Sequence, residues 1–372
     1  MEVYLSTFFL LLALAAVDVY SGRRSLSLLC LTVGTVLVVL LIGLRWETGN
    51  DWNPYLRYYT AVDSFGPLWL GWEPGYRLLV LLAKAAGLHY SGFLLLSAAI
   101  YMSAFACVFA RFRHPAVLLL FFFCVYALGF MGTQRQTLAL GFASLAILRF
   151  YDGKTLSGLF LVALATSFHY TAVLTPLALL VPRTRLSFPW VAAGLIAGFL
   201  LYRLDVVGEI VEAALNAFGA EGYVLRRLLA YSAGGSWEEA AAAFSPLAEV
   251  LWFAKRVVLV IAFWLLCSRE QRSFDNYLVN LYALSVLIFL ATTKAVPLVA
   301  LRAPLYFAFF EIALIYIALA RVGGVFRRES LVFLGGPLAA VRLYAAVFLY
   351  VPELYVPYKS VFLNTDYARF MF

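Results

Sequence analysis

Residues 26–44 read LSLLCLTVGTVLVVLLIGL, an apolar run without a charged side chain. A helix needs about 20 such residues to cross the hydrocarbon core of a bilayer. Runs that approach or reach this length recur at 4–20, 91–110, 247–267, 276–293, 303–320 and 331–351. They lack the alternation of apolar and polar residues that is typical of barrel strands. Since a helix satisfies its own backbone polar groups in lipid, the pattern predicts an all-α polytopic transmembrane bundle.

The composition supports the same class. Hydrophobic residues make up 64% of the 372 residues and charged residues only 13%, whereas soluble domains are about half apolar and a quarter charged. The net charge of +8 is explained by Lys and Arg at the ends of spans, and no basic, aromatic-rich soluble domain indicates a nucleic-acid partner. Neither nucleotide-binding motifs nor metal-ligand spacings occur, so we expect no cofactor and no metal.

The distribution of basic residues predicts the topology. Basic clusters at 23–24, 111–113, 149–154, 183–185, 269–272 and 327–328 are expected on the cytoplasmic side. The first outer loop, 45–90, then holds a short re-entrant or interfacial helix at Tyr76–Leu88, and 203–246 forms a long outer loop. We expect a hairpin of two short helices over 155–182 that meet near His169. The prediction is one integral membrane domain, 1–372, with about 10–12 membrane segments.

Polar motifs concentrate at the predicted outer side. The longest is RWETGNDWNPY, which covers Arg45–Tyr55 directly after the span 26–44. The others, in chain order, are Glu73-Pro-Gly-Tyr76, Gln134-Arg135-Gln136, Phe168-His169-Tyr170, Arg302-Ala-Pro-Leu-Tyr306 and Pro357-Tyr358-Lys359. Ionisable groups within or beside membrane spans are costly, and they indicate a functional site. So many cations on one side favour an anionic ligand.

The order of these motifs resembles the EpsG/Wzy-like family of polysaccharide polymerases, best over residues 40–180 and loosely over the last seventy residues. The resemblance implies a glycosyltransferase-C-like architecture in the bacterial inner membrane, with an active site that faces the periplasm or exterior. It implies transfer of an oligosaccharide from undecaprenyl pyrophosphate to another lipid-linked repeat unit. The expected partners are this lipid-linked oligosaccharide, membrane lipid and a chain-length regulator.

Three arginines are the candidates for pyrophosphate binding. The leaving pyrophosphate is anionic, and the planar guanidinium fork can donate two parallel hydrogen bonds to phosphate oxygens. We place Arg135 and Arg302 first and Arg45 third. The alternative for each is an arginine that extends to the membrane surface, or one that pairs with an inner carboxylate.

The acceptor hydroxyl needs a base, for which Asp51, Glu73 and His169 are the candidates. Each has a structural alternative. Asp51 would form an ion pair with Arg45, Glu73 would cap the helix that begins after Pro74, and His169 would be a hydrogen-bonded core residue.

Five further residues are candidates for contact with a second lipid or the glycan: Arg256, Lys255, Arg342, Tyr55 and Tyr306. The late cations would otherwise pair with Glu249 or Glu311. Two alternative functions stay open at this point. An O-antigen ligase or another lipid-dependent glycosyltransferase has the same electrostatic needs, and a flippase of lipid-linked sugars would expose polar groups to both membrane faces.

Overall fold

The computed structural model describes residues 2–64, 72–218, 246–266, 273–294, 296–350 and 352–362. Within these ranges the secondary structure is helical and contains no β-strand. One isolated antiparallel bridge, between Arg45 and Ser360, is present in the same ranges. The predicted all-α polytopic class is therefore confirmed.

Eight helices form the first part of the chain: α1 (Glu2–Ser21), α2 (Arg24–Gly43), α3 (Trp52–Ala61), α4 (Pro74–Ala85), α5 (Tyr90–Phe109), α6 (Pro115–Phe130), α7 (Gln134–Tyr151) and α8 (Thr155–Phe168). A π-helical turn interrupts α6 at Phe123–Ala127. A 3₁₀ helix, Tyr170–Leu180, follows α8.

The described helices of the later part are α9 (Phe188–Leu204), α10 (Val206–Phe218), α11 (Pro246–Leu266), α12 (Phe274–Thr292), α13 (Pro297–Arg302), α14 (Leu305–Ala308), α15 (Glu311–Val322) and α16 (Gly335–Tyr344). π-helical segments flank α16 on both sides. The predicted outer loop 203–246 contains α10, and its residues 219–245 lie outside the described part of the chain.

Five described helical segments are long and apolar enough to cross a membrane: α1, α2, α5, α12 and Gly324–Phe348. A sixth arises if Val299–Ala308 and Glu311–Val322 count as one span, although they meet at 44°. The straight span predicted at 303–320 is thus broken. Four further apolar helices are shorter than a full span, namely α6, α8, α9 and the 3₁₀ helix. The 10–12 predicted membrane segments therefore include helices that are too short to cross a bilayer.

The two short-helix predictions have different outcomes. Helix α4 has 12 residues, or about 18 Å, which is too short to cross a bilayer; its re-entrant placement stays a prediction. The break predicted at His169 is confirmed, because α8 ends at Phe168 and His169 is extended, with φ −156° and ψ 120°.

The chain forms two compact units. The first consists of residues 1–149, 154–170 and 319–372, and the second of 150–153 and 171–318. The single domain predicted over 1–372 stays a prediction.

Helix α2 lies at the centre of the first unit, where it packs against α1, α5 and α6. An ideal Cβ at Gly34 would lie 2.6 Å from a Leu119 side-chain carbon, and one at Gly43 would lie 2.7 Å from Leu95 Cα. Small residues allow such close approach between membrane helices. This packing fixes the end of α2, from which the Arg45 loop begins.

In the second unit, α12 packs against α9, α11, α13 and α14. The side chain of Asn280 donates to the carbonyl oxygens of Pro182 and Thr184, at 2.8 and 2.9 Å. Tyr277 donates to the carbonyl oxygen of Ala178 at 3.0 Å. These bonds connect α12 to the 3₁₀ helix and to the segment that follows it.

Candidate functional site

Three of the predicted motifs meet in the first unit around Arg135, the second residue of α7. Its Nη1 lies 2.5 Å from Glu73 Oε2, and its Nε donates to the Tyr55 hydroxyl at 3.5 Å. The guanidinium carbon lies 4.3 Å from the ring centre of Trp72. We call Tyr55, Tyr58, Trp72, Glu73 and Arg135 the Arg135 cluster.

The two charged members of the Arg135 cluster differ in exposure. The Glu73 side chain is 6% exposed, whereas that of Arg135 is 23% exposed. The contacts of Arg135 with described residues involve Nε, Nη1 and the flat face of the guanidinium, and Nη2 donates to none of these residues. The guanidinium is therefore held by a buried carboxylate, and its Nη2 is not engaged by any residue that the structure describes.

The aromatic side chains of the Arg135 cluster pack against the Arg135 guanidinium and against one another. The rings of Tyr58 and Trp72 stack with centres 3.9 Å apart and an angle of 19° between their planes. Because the Tyr58 ring and the guanidinium both lie this close to the Trp72 ring, they occupy its two faces. Neither face is left for stacking on a sugar, so Trp72 positions Arg135.

Tyr55 lies in α3, outside the candidate spans, and is buried. Burial raises the pKa of its phenol, and the nearby charge of Arg135 opposes this effect. The phenol is therefore neutral at physiological pH. Its oxygen accepts a hydrogen bond from Arg135, and its own proton is available to a ligand.

A second hydrogen-bond chain joins α4, α5 and α7 beside the cluster. The Tyr76 hydroxyl donates to Gln134 Oε1 at 3.0 Å, and Gln134 Nε2 donates to the Tyr90 hydroxyl at 3.3 Å. These bonds orient the first residue of α7 and hence its neighbour Arg135. The contacts of Tyr58, Trp72 and Tyr90 were not predicted from the sequence, although the density of aromatic residues around the motifs was a usable signal.

The Gly-Asn-Asp turn of the first motif packs against the chain just before α7. Gly49 has φ +91°, and an ideal Cβ there would lie 2.9 Å from Met131 Cβ. An ideal Cβ at Gly132 would lie 2.5 Å from Asn50 Cβ. Asp51 follows with φ 55°, is exposed, and occupies the N-cap position of α3. This contact brings Asp51 to the same end of the first unit as Arg135.

The Arg45 side chain is buried and donates hydrogen bonds to backbone carbonyl oxygens of its own turn. Its residue is 2% exposed, and its Nε and Nη1 donate to the carbonyl oxygens of Thr48 and Ile42, at 3.1 and 2.7 Å. Among the described residues it forms no ion pair with Asp51, so the predicted Asp51–Arg45 pair is wrong. The predicted contact of Arg45 with pyrophosphate stays a prediction.

Glu73 is the residue before α4, as expected for a cap, but its side chain accepts no hydrogen bond from that helix. The capping interpretation is wrong because the carboxylate bonds to Arg135, a charged donor. Two residues later, an ideal Cβ at Gly75 would lie 2.8 Å from the carbonyl oxygen of Ser167, near the end of α8. The first turn of α4 is therefore close to the segment that holds His169, which is 5% exposed.

The chain's C-terminal segment covers the loop after α2. The amides of Trp46 and Gly49 donate to the carbonyl oxygens of Lys359 and Leu354, at 2.9 and 2.8 Å. Lys359 Nζ lies 2.9 Å from Glu47 Oε2 at the surface. The Pro357-Tyr358-Lys359 motif thus meets the first motif through backbone bonds, which the sequence did not predict.

Most of the remaining candidates belong to the second unit. Arg302, Tyr306, Lys255 and Arg256 belong to the second unit, where the hydroxyls of Tyr306 and Thr171 are 3.0 Å apart. The guanidinium carbon of Arg256 lies 3.9 Å from the Phe289 ring centre. Arg342 lies in α16 of the first unit. The predicted contact of Arg302 with pyrophosphate, and those of the other four residues with a second lipid or the glycan, stay predictions.

Comparison with known proteins identifies the family. The EpsG family model matches residues 28–360, which is nearly the whole chain and includes every motif described above. Neither the curated proteins nor the solved structures contain a match to the sequence. The chain belongs to the EpsG family, a family of Wzy-like polysaccharide polymerases.

Proposed function

We propose that this protein is a membrane glycosyltransferase that joins oligosaccharide repeat units carried on undecaprenyl pyrophosphate. The family membership supports a polymerase. The Arg135 cluster supports an anionic donor, because a guanidinium fixed by a buried carboxylate still presents open donors. We place this reaction on the extracytoplasmic face of the bacterial inner membrane, since the basic residues at Arg23–Arg24 and Arg111–Arg113 lie at the other ends of α2 and α5.

The reaction is a glycosyl transfer. An acceptor hydroxyl oxygen attacks the anomeric carbon of the donor sugar and forms the new C–O bond. The bond between that carbon and the pyrophosphate oxygen breaks, and undecaprenyl pyrophosphate leaves with the electron pair. The acceptor proton passes to a base. The main requirement is stabilisation of negative charge on the leaving pyrophosphate.

Arg135 would supply that stabilisation. Its Nη2 and the N–H groups of the first turn of α7 lie at a helix N-terminus, where backbone donors and the helix dipole favour an anion. Glu73 and Trp72 would act as positioning residues, because both hold the guanidinium. Tyr55 would add a neutral O–H donor beside it.

Asp51 is the base that we favour. Its side chain is exposed, while the carboxylate of Glu73 is engaged with Arg135 and His169 is buried. It also precedes Tyr55 by one helical turn, since the Tyr55 amide donates to the Asp51 carbonyl at 3.2 Å. Glu73 and His169 are the alternatives that Asp51→Asn tests: retained polymerisation would assign the base to one of them.

The proposal rests on one observation: Glu73 holds the Arg135 guanidinium, and Nη2 of that group donates to no residue in the described part of the chain. The test is incubation of the purified protein in detergent with one lipid-linked repeat unit. We expect a ladder of products from the wild type and a loss of roughly a hundredfold or more in kcat/KM for Arg135→Ala. Arg135→Lys should also be poor, because an ammonium group cannot reproduce the guanidinium fork.

Arg57→Ala is the matched control, because Arg57 is an exposed arginine of α3 whose side chain forms no ion pair with a described residue. It should polymerise at the wild-type rate. A wild-type product that carries a single transfer onto a different lipid would indicate a ligase, and the absence of any product would favour transport. Wild-type activity of Arg135→Ala would exclude the proposed phosphate contact.

A further inference from the structure

A basic cavity lies at the end of α2 opposite to Arg45. It measures about 540 Å³, and the side chains around it include Arg24, Arg111, Arg113 and His114. Helix α2 has 20 residues, so about 30 Å separates this cavity from the Arg45 loop. The basic cavity is therefore distinct from the Arg135 cluster.

The charged side chains that line the basic cavity are cationic, and the carboxylate of the buried Asp18 lies 3.7 Å from Nδ1 of His114. None of the described residues that line it is acidic. A further arginine approaches it, because Nη2 of Arg328 lies 3.9 Å from the position of an ideal Cβ at Gly22, which also lines the cavity. A bound anion would stabilise such a concentration of positive charge.

The wall of the basic cavity is held in place by hydrogen bonds to the backbone of residues 110–116. Arg24 donates to the carbonyl oxygens of Phe112, at 2.8 Å, and of Ala110. Asp18, which is fully buried in α1, accepts a hydrogen bond from the Ala116 amide at 2.8 Å. The segment that carries Arg111, Arg113 and His114 is thus fixed at both ends, as expected for a preformed binding site.

Two of the arginines at the basic cavity have side-chain N–H groups that donate to none of the described residues. Arg113 is exposed, and neither it nor Arg328 forms a side-chain hydrogen bond or ion pair with a described residue. Arg24 differs, since its donors go to backbone carbonyls. The basic cavity therefore combines a rigid wall with guanidinium groups that can turn toward a ligand.

We propose that the basic cavity binds the phosphate group of an anionic ligand. Arginine forks match phosphate oxygens, and basic pockets between membrane helices on the cytoplasmic side are suited to anionic lipid headgroups. The volume lies in the range of small-ligand pockets. A phospholipid headgroup or a soluble phosphate compound would satisfy the same chemistry. The proposal does not depend on the polymerase reaction.

The test measures binding to the full chain in an uncharged detergent, where no charged membrane surface attracts lipid. Thermal unfolding is followed while phosphatidylglycerol, phosphatidylcholine, inorganic phosphate or inorganic pyrophosphate is added separately. We expect phosphatidylglycerol or a phosphate ion to raise the Tm in a saturable way and phosphatidylcholine to leave it unchanged. Arg113→Gln should weaken this binding about tenfold, as expected for loss of one charged hydrogen bond to the ligand.

Arg23→Gln is the matched control, because Arg23 is an exposed arginine at the same end of α2 that does not line the cavity. Its affinity should stay within about twofold of the wild type. Stabilisation by phosphatidylglycerol alone would identify a lipid headgroup, and stabilisation by the inorganic ions would identify a soluble phosphate.

Three outcomes would overturn the proposal: no saturable stabilisation by any phosphate compound, equal weakening by Arg113→Gln and Arg23→Gln, or equal stabilisation by phosphatidylcholine. Native mass spectrometry of the unmodified chain provides a second measurement that needs no variant. It should detect one retained phosphatidylglycerol or one retained phosphate compound after removal of loosely bound lipid, and a chain free of both would contradict the site.

Discussion

Arg135 and Glu73 form an ion pair, with 2.5 Å between Nη1 and Oε2, although 62 residues separate them in the chain. Glu73 is buried before the first turn of α4, and Arg135 lies in the first turn of α7. The pair thus joins two helix N-termini. Glu73 occupies one donor of the guanidinium and fixes the direction of the others. In the proposed function, these other donors bind the anion.

This pair gives the first prediction. Glu73→Gln should lower polymerisation at least about tenfold, because an amide cannot hold Arg135 with a charged hydrogen bond. The free energy of unfolding should fall by about 2 kcal/mol, a value below that of a fully buried pair because Arg135 is partly exposed. Activity on lipid-linked repeat units and thermal unfolding in detergent measure both effects.

Glu47→Gln is the control for this substitution. Glu47 pairs with Lys359 at a similar N–O distance, but both side chains are about half exposed. Exposed pairs contribute little, so this variant should keep wild-type activity and stability. If Glu73→Gln and Glu47→Gln behave alike, burial of the Arg135–Glu73 pair has no consequence for function.

The second prediction concerns the contact between α4 and α8. Gly75→Ala should destabilise the protein by about 1–3 kcal/mol, because the added methyl group would overlap the Ser167 side chain and approach its carbonyl oxygen. Thermal unfolding tests it, and Ser167→Ala in the same chain should recover part of the loss. Gly194→Ala is the control, since nothing lies within 4 Å of an ideal Cβ there. Equal stability of the two alanine variants would refute the contact.

The sequence predicted the class and much of the helix pattern, because a membrane span is a local property of about 20 consecutive residues. It also predicted the break at His169. It failed where a long-range partner decides the role of a side chain. Glu73 has a local sequence typical of a cap, yet a cation from α7 binds it. The C-terminal backbone bonds to the first motif were likewise absent from the prediction, because they join Trp46 and Gly49 to residues more than 300 positions away.

The third prediction concerns alkaline pH. The Tyr358 hydroxyl donates to the Leu41 carbonyl at 2.7 Å, and burial raises the pKa of this phenol from 10.0 to about 12. The folded state therefore holds the proton more tightly than the unfolded chain. The resulting stabilisation is complete below pH 10 and is lost as the pH rises toward 12.

The variant Tyr358→Phe removes this ionisation. Its unfolding temperature should fall less steeply than that of the wild type between pH 10 and 12, although it starts from a lower value because the Leu41 carbonyl loses its donor. Thermal unfolding at a series of pH values gives both slopes. Parallel slopes for the two proteins would show that Tyr358 ionises equally in the folded and unfolded states.

The fourth prediction is that the C-terminal segment supports the first motif through its backbone. Truncation after Tyr350 removes the carbonyl acceptors for the amides of Trp46 and Gly49, and with them a hydrogen bond from the Val361 amide to Leu44. Each lost backbone bond costs about 1 kcal/mol, so the loop after α2 should loosen and polymerisation should fall.

Truncation after Phe362 keeps all three bonds and serves as the control. Lys359→Gln removes only an exposed ion pair and should be neutral. A fully active protein truncated after Tyr350 would show that the loop holds its conformation without this segment, whereas loss of activity in Lys359→Gln alone would assign the effect to the side chain.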